Sequence, residues 1–459
     1  MTYIPTTVSI QWTPELGWIM TPPAGTPPED LPDAGFKARR IADMLERFGV
    51  NTFSSTAADS NMWGSWPADY SQASVIAALK WLVGGSGLTI QLREYHYADR
   101  RVWQEPWCQA VFAATGARFT VAIGAGGGVA HAASMVTMAQ TSNAGTGWLR
   151  MVEGVNEPNT DFGSGTIPVA DVIAAQNVLS AGVAPLTGPH PVLVAGPSIV
   201  FGLPFPEGYI TPPYASLAQM ATIRGFSTIA NAHLYPPGQI DQEDGSDRGG
   251  TMRDVTTGLG IVYGQPITIT EWHPTLYGVH GFNLEPAHDA YYTACFFLSA
   301  AREGIDAWYW YALFDYGTSF LSGLFPKSGS STPRPAANTI RALFTLTGDT
   351  GSSKRSFGPA SLDYTVTGLP AGPTPTSGGQ HALFQASDGT FFLFVWLAQA
   401  LLEGPTTPVV VTFASPQLRV RDYKVSAAVN PTACLQDLAN HGVVNLALNG
   451  SVHLLRIDV

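Results

Sequence analysis

From about residue 50 to residue 347 the chain alternates: a β-branched or apolar run, a helical stretch, then another run. The strand candidates are residues 50–55, 88–94, 119–125, 151–157, 191–198, 226–233, 266–271 and 305–313. Helical stretches include 73–83, 106–115, 169–181, 287–303 and 336–346. Strands that read as continuous apolar runs are buried on both faces, which indicates a parallel sheet covered by helices. Eight such units in about 300 residues fit a closed (β/α)8 barrel better than an open sheet.

The pattern breaks at the Gly/Ser/Thr-rich stretch 348–356. Short alternating runs follow at 362–367, 381–386, 391–396, 409–413 and 452–457, separated by Gly, Pro and Ser turns. They predict a small antiparallel β-sandwich. The division expected is a barrel over 20–347 and a sandwich over 348–459, with an N-terminal strand from 1–19 (residues 7–12) adding an edge to the sandwich. Residues 22–32 read as a Pro-rich connector and 35–48 as a helix entering the barrel. The imperfect alternation of Phe391, Phe392 and Trp396 marks them as core, so the sandwich reads as a structural lid and not as a sugar-binding module.

Charge excludes some partners. A net charge of −11 with no basic patch disfavours nucleic acid. No apolar run reaches the length of a membrane span. The chain opens without a basic region and long apolar run, so no signal peptide is expected; it would be secreted only if a leader had been removed, and is otherwise cytoplasmic. Cys108, Cys295 and Cys434 lie far apart and show no metal-ligand spacing. A monomer or weak homo-oligomer is expected.

Two glutamates carry the chemistry. Glu157, in Gly154-Val155-Asn156-Glu157-Pro158-Asn159, closes the fourth strand, and Pro158 stops the strand there. Glu271, in Ile267-Thr268-Ile269-Thr270-Glu271-Trp272-His273, closes the seventh. The C-terminal strand ends of such a barrel form its catalytic face. In a closed barrel the fourth and seventh strands face one another across the mouth, and two opposed carboxyls are the minimum machinery for glycoside hydrolysis. Either glutamate alone reads equally well as an ordinary turn residue; the pair is what points to chemistry. A carboxyl separation of about 5 Å is expected for a retaining enzyme.

Asn156-Glu157-Pro158 and Thr270-Glu271-Trp272 resemble the paired signatures of clan A glycoside hydrolases. Phe48-Gly49-Val50-Asn51-Thr52, Arg93 on strand two, His233-Leu234-Tyr235 on strand six, Gly323-Leu324-Phe325 and Pro333-Arg334-Pro335-Ala336 extend the likeness, closest to family 39-like bacterial members. The resemblance implies that Glu157 is the general acid/base and Glu271 the nucleophile. It implies that Asn156 binds the substrate 2-hydroxyl, that Arg93 and Tyr235 hold Glu271 ionised, and that His233 lines the same face. It also implies a carbohydrate substrate: β-xylosidase, arabinose-releasing or exopolysaccharide-cleaving activity. The run Ala230-Asn231-Ala232 and the continuation Glu94-Tyr95-His96 depart from the pattern expected there. The resemblance further implies an aromatic floor for the central sugar subsite from strand eight: in Ala307-Trp308-Tyr309-Trp310-Tyr311 alternation puts Trp308 and Trp310 on one face, with Trp310 expected to take that place and Trp308 to pack as core. Trp272 is expected to line the cleft; His273, Tyr95 and His96 could equally line it or pack.

Other motifs carry less. Residues 124–128 (GAGGG) lack the rest of any nucleotide-binding fingerprint. His233, Glu271 and His273 show no helical metal spacing, residues 241–247 lack a calcium-loop pattern, and no Gly-x-Ser-x-Gly elbow is present. No cofactor is implied. The alternatives are a non-catalytic carbohydrate-binding protein on a hydrolase scaffold, and a phage-tail depolymerase with the same chemistry.

Overall fold

The computed structural model describes residues 9–13, 17–21, 36–54, 70–96, 101–124, 127–158, 167–201, 229–234, 266–273, 286–302, 304–315, 323–326, 332–371, 378–397, 406–427 and 429–459. In chain order the N-terminal part runs β1 (Ser9–Thr13), β2 (Gly17–Thr21), β3 (Phe36–Lys37), β4 (Arg39–Arg40) and α1 (Ile41–Leu45). The barrel follows: β5 (Phe48–Asn51), α2 (Gln72–Val83), β6 (Gln91–His96), α3 (Arg101–Thr115), β7 (Phe119–Ile123), α4 (Val129–Ala144), β8 (Leu149–Val155), α5 (Val169–Val183), β9 (Leu193–Ala195), β10 (Ile199–Phe201), β11 (Ala230–Leu234), β12 (Ile267–Trp272), α6 (Pro286–Arg302), β13 (Ala307–Trp310) and α7 (Pro335–Leu346). The last unit comprises β14 (Ser361–Leu362), β15 (Tyr364–Thr367), β16 (Gly379–Gln385), β17 (Phe391–Leu397), β18 (Thr407–Lys424), β19 (Cys434–Leu448) and β20 (His453–Asp458).

The fold is a (β/α)8 barrel with a C-terminal, mostly antiparallel β-sandwich. The barrel strands pair in parallel in sequence order, and β13 returns to β5. The fifth strand is divided: β9 pairs with β8, and β10 pairs with β11. Bridges Asn156–Ser198 and Ala195–Ile229 carry the closure across the division. Local chemistry sets the helix limits. Ser71 accepts the Ser74 N–H at the start of α2, and Gly84, at φ 54°, ends that helix in the left-handed conformation that costs glycine least.

In the sandwich, β15, β18, β20, β17, β16 and β4 form one sheet, with β19 on the outer edge of β18. A register shift between Thr412 and Gln417 lets β18 serve two layers. Val409, Val411, Phe413, Val444 and Leu446 of the outer layer close on Leu383, Leu393, Val420 and Ile457 of the inner one. The inner layer's other face, Phe384, Phe392, Phe394, Trp396 and Leu454, joins the barrel core. That sheet is buried on both faces, which is why Phe391, Phe392 and Trp396 defied a simple alternation.

Two expectations for the N-terminal part are corrected. The strand read at residues 7–12 is β1, and it pairs with β2 as a hairpin and not with the sandwich. Residues beyond it make that connection: β3 pairs with β14, and β4 runs parallel to β16. The helix expected over 35–48 is confined to α1 because 36–40 is extended for this purpose. The connector at 22–32, the acidic stretch 241–247 and Tyr235 lie outside the described residues. Among the described residues no helix is long and apolar enough to cross a membrane.

Candidate active site

Arg93, on β6, organises the barrel mouth. Its side chain is fully buried, so its charge must be matched locally or cost several kcal/mol. The guanidinium is saturated. Nε and Nη2 donate to Glu153 Oε2 and Oε1 at 2.8 and 2.6 Å. Nη1 donates to Glu271 Oε1 at 2.7 Å and to Asn51 Oδ1 at 2.9 Å. Nη2 also reaches Asn156 Oδ1 at 2.8 Å and faces His233 Nε2 at 3.3 Å. Burial works against the charge, but Glu153, Tyr95 and Glu271 together hold Arg93 well above its ordinary range.

Irregular backbone brings these groups together. On β8 the pairing with β7 shifts between Ala122 and Ile123, leaving Gly154 as an extra residue. A bulge resets the alternation of side chains. Glu153 and Asn156, an odd number of residues apart, therefore both reach Arg93. Gly154 is required there: a Cβ would fall 2.7 Å from Pro197 N and nearer still to Gln176 Oε1. On β12 the pairing with β11 shifts so that Thr270 is the extra residue, just before Glu271. Glu157 adopts φ 45°, a left-handed conformation uncommon for a residue with its side chain. Such strain collects at functional sites.

The two glutamates occupy different surroundings. Glu271 is 3% exposed and accepts hydrogen bonds from Arg93 and from the Tyr95 hydroxyl. The Arg93 guanidinium also lies over the Tyr95 ring, 4.7 Å from its centroid. Glu157 keeps 15% of its side chain exposed, and its Oε1 lies 2.7 Å from His233 Nδ1. Burial raises the Glu157 carboxyl to about 7; Arg93 opposes this and Glu153 adds to it. His233 is pushed down to about 4, chiefly by burial, so its imidazole is neutral at neutral pH. Glu153 is pushed up by burial, but the bidentate Arg93 contact outweighs this and holds it below the usual carboxylate range. Ligand-type atoms of Glu157, His233 and Glu271 lie within 4.8 Å of one another. Such a trio could in principle take a cation. The Arg93 guanidinium already supplies the positive charge there, 2.7 Å from Glu271 and 3.3 Å from His233. The arrangement sets a carboxyl held by a buried cation opposite one that burial raises into the range where it can give up and take back a proton.

The structure brings together Glu157, Glu271, Asn156, Arg93 and His233. Two assignments change. Trp272 is fully buried and stacks on Phe296 of α6, with centroids 3.7 Å apart. Neighbours in a strand face opposite sides, so Trp272 points to the helices because Glu271 points to the mouth. Trp310 is 1% exposed and packs edge-on against Trp272 and His273 within the core. The strand-eight aromatic that leaves the core is Tyr311, half-buried and edge-on to Phe53 at 5.8 Å. Phe53 in turn stacks on Tyr95 at 5.7 Å. His96 packs away from the mouth between Gln104 and Ser134.

Sequence reasoning missed Asn51, Glu153 and the role of Tyr95. Glu153 carried a signal: an acidic residue inside an apolar strand must have a buried partner. Tyr95 shares strand parity with Arg93, so it had to share its face.

Fold comparisons agree with this architecture. A glucosidase from Croceicoccus marinus is similar with TM-score 0.54 at 12% identity, over 92% of this chain and 96% of that one. A family 51 arabinofuranosidase from Xanthomonas axonopodis pv. citri gives 0.53 at 12%, over 93% and 98%. A family 30 endoxylanase from Clostridium papyrosolvens C71 gives 0.52 at 13%, over 94% and 98%. At these identities the likeness carries the fold alone. No protein-family model and no curated protein matches the sequence. The families named among the similar structures are 51, 30 and 44, so the narrower likeness to family 39 rests on sequence motifs alone.

Proposed function

We propose that this protein is a retaining glycoside hydrolase acting on an oligosaccharide or polysaccharide. The observation that carries the reading is the opposed pair: Glu157 and Glu271 present oxygens within 4.8 Å of one another, in unlike environments. Glu271, held by Arg93 and Tyr95, attacks the anomeric carbon as a carboxylate. Glu157, raised to about 7 chiefly by burial, protonates the departing glycosidic oxygen. The resulting glycosyl ester on Glu271 is then hydrolysed by water that Glu157, now a carboxylate, deprotonates. The short separation favours this double displacement over inversion, which leaves about 6.5–9.5 Å for a water.

Asn156 fits the substrate 2-hydroxyl, because Arg93 fixes its Oδ1 and leaves its amide nitrogen as donor. Tyr311 replaces Trp310 as the aromatic floor. The residues 20–347 would be the catalytic unit and 348–459 its structural lid. The proteins of similar fold include a glucosidase, an arabinofuranosidase and an endoxylanase, and a plant-type or exopolysaccharide-derived glycan is the substrate class in keeping with both these and the family 39-like motifs.

The test is hydrolysis of aryl glycosides and polysaccharides by wild type, Glu157→Ala and Glu271→Ala. Cleavage by wild type, loss in Glu271→Ala, and rescue of Glu157→Ala by azide on a substrate with a good leaving group are expected. Activity surviving both substitutions would overturn the assignment.

A further inference from the structure

Glu153 never reaches the mouth, yet it makes the most complete contact in the network. It is fully buried on β8 and takes the Nε–Nη2 edge of Arg93 with both oxygens. A paired buried carboxylate there costs desolvation that an apolar residue would avoid. Its effect is best seen by counting charge. Among the described residues Arg93 is the cation that touches Glu271, Glu153 and Asn156, and neutral His233 contributes no charge at neutral pH. Glu157 is faced by Arg93 and Tyr95 from β6, His233 from β11, Glu271 from β12, and Glu153 from its own strand. With Glu153 in place, two carboxyl groups share the Arg93 guanidinium, and a negative charge on Glu157 would add to the one on Glu153.

Resting on the reading of Glu157 as acid, we propose that Glu153 is a positioning residue. It occupies one edge of Arg93, leaves the other for Glu271, and so keeps the site's proton on Glu157. Arg93 and Glu153 do act on Glu157 in opposite senses, the first drawing its carboxyl down and the second pushing it up. Replacing Glu153 with a neutral residue both removes that push and frees Arg93 to stabilise ionised Glu157. The two effects have one sign: Glu157 loses its proton at lower pH.

The test is a carbon-13 NMR titration of carboxyl-labelled glutamates in the full chain, with the Glu157 signal assigned by its loss in Glu157→Gln. In Glu153→Gln the Glu157 midpoint is expected to fall by about one unit or more, a tenfold change in its ionisation constant. The alkaline limb of kcat/KM should move down with it. In Glu153→Asp, which keeps the charge, the midpoint should stay within about half a unit. A folded Glu153→Gln protein whose midpoint is unmoved, with only its thermal stability lowered, overturns the proposal. If that variant does not fold, Glu153→Asp decides: a midpoint displaced by about one unit with the charge still present also overturns it. The midpoint is read without substrate. A protein that shows the shift but hydrolyses no glycoside therefore keeps this inference and loses the glycosidase reading.

Discussion

Burial raises two glutamates in this barrel to about 7, and they have almost nothing else in common. Glu157 hangs among charged groups, with Arg93, Glu153 and Glu271 close by and part of its side chain open to the mouth. Glu94, on β6 beside Arg93, is turned the other way into a sealed pocket. There it accepts from Ser54 N and Ser54 Oγ, each at 2.9 Å, and from Thr52 Oγ1, all neutral donors. A raised carboxyl is therefore not by itself the sign of an acid catalyst. Access to the mouth and a second carboxyl opposite it set Glu157 apart, while Glu94 stitches the segment after β5 to β6.

The largest effect that could break this contrast is on catalysis. Glu271→Ala should reduce kcat by roughly 10⁴-fold or more. Glu157→Ala should lose about 10²–10⁴-fold on substrates with poor leaving groups. Glu94→Gln should stay within a few-fold of wild type. A Glu94→Gln protein as damaged as Glu157→Ala would erase the distinction.

Next comes the stability of the charged cluster. Arg93→Met leaves Glu153 and Glu271 buried without their counter-ion, and loss of one partner from such a pair costs about 3–5 kcal/mol. Urea unfolding should show this as a lower midpoint with an unchanged slope. A near-neutral effect would mean that the cluster is far wetter than its burial implies.

The contrast also shows what could be read from the sequence. Continuous apolar runs and helical stretches gave the barrel, because both signals are local. Pro158 and the polar ends of two strands located Glu157 and Glu271, because a strand must stop where its backbone leaves the sheet. What failed was parity near irregularities. Glu153 and Asn156 look opposed until the bulge at Gly154 is known, and a bulge is set by packing against Pro197 and Gln176, residues remote in sequence. Trp272 was misplaced for the simpler reason that an aromatic beside an expected nucleophile invites a functional reading, although alternation already turned it outward. The partners of β3 and β4 lie some 300 residues away or more, in strands whose register no local pattern encodes.

A smaller effect tests the link between the two pockets. Tyr95 joins them: its ring stacks on Phe53, between Thr52 and Ser54, and its hydroxyl donates to Glu271. A hydrogen bond to a charged group contributes about 1.5–3 kcal/mol, so Tyr95→Phe should lower kcat/KM by roughly 10–100-fold with stability little changed. An unaltered kcat/KM would show that Arg93 alone suffices for Glu271.

The smallest effect concerns Glu94 and pH. Its carboxyl titrates near 7 when folded against 4.5 unperturbed, so between these values the folded state binds the proton more tightly than the unfolded one. Stability from this group is present at low pH, falls as pH rises through that window, and changes no further above it. The full loss is up to about 3 kcal/mol. Glutamine reproduces the protonated acid, offering one acceptor to Ser54 and one donor to Thr52. Glu94→Gln should therefore match wild type at pH 5 and exceed it at pH 8, by less than the full amount because an amide fits three donors imperfectly. Urea midpoints at the two pH values measure this directly. Glu157→Gln should show the same sign of change, but weaker, since Glu157 is partly exposed and its ionised form still has solvent to turn to. If instead Glu157→Gln flattened the pH dependence more than Glu94→Gln, then Glu157 would be the more deeply desolvated of the two, and the distinction between an accessible acid and a sealed one would have to be reversed.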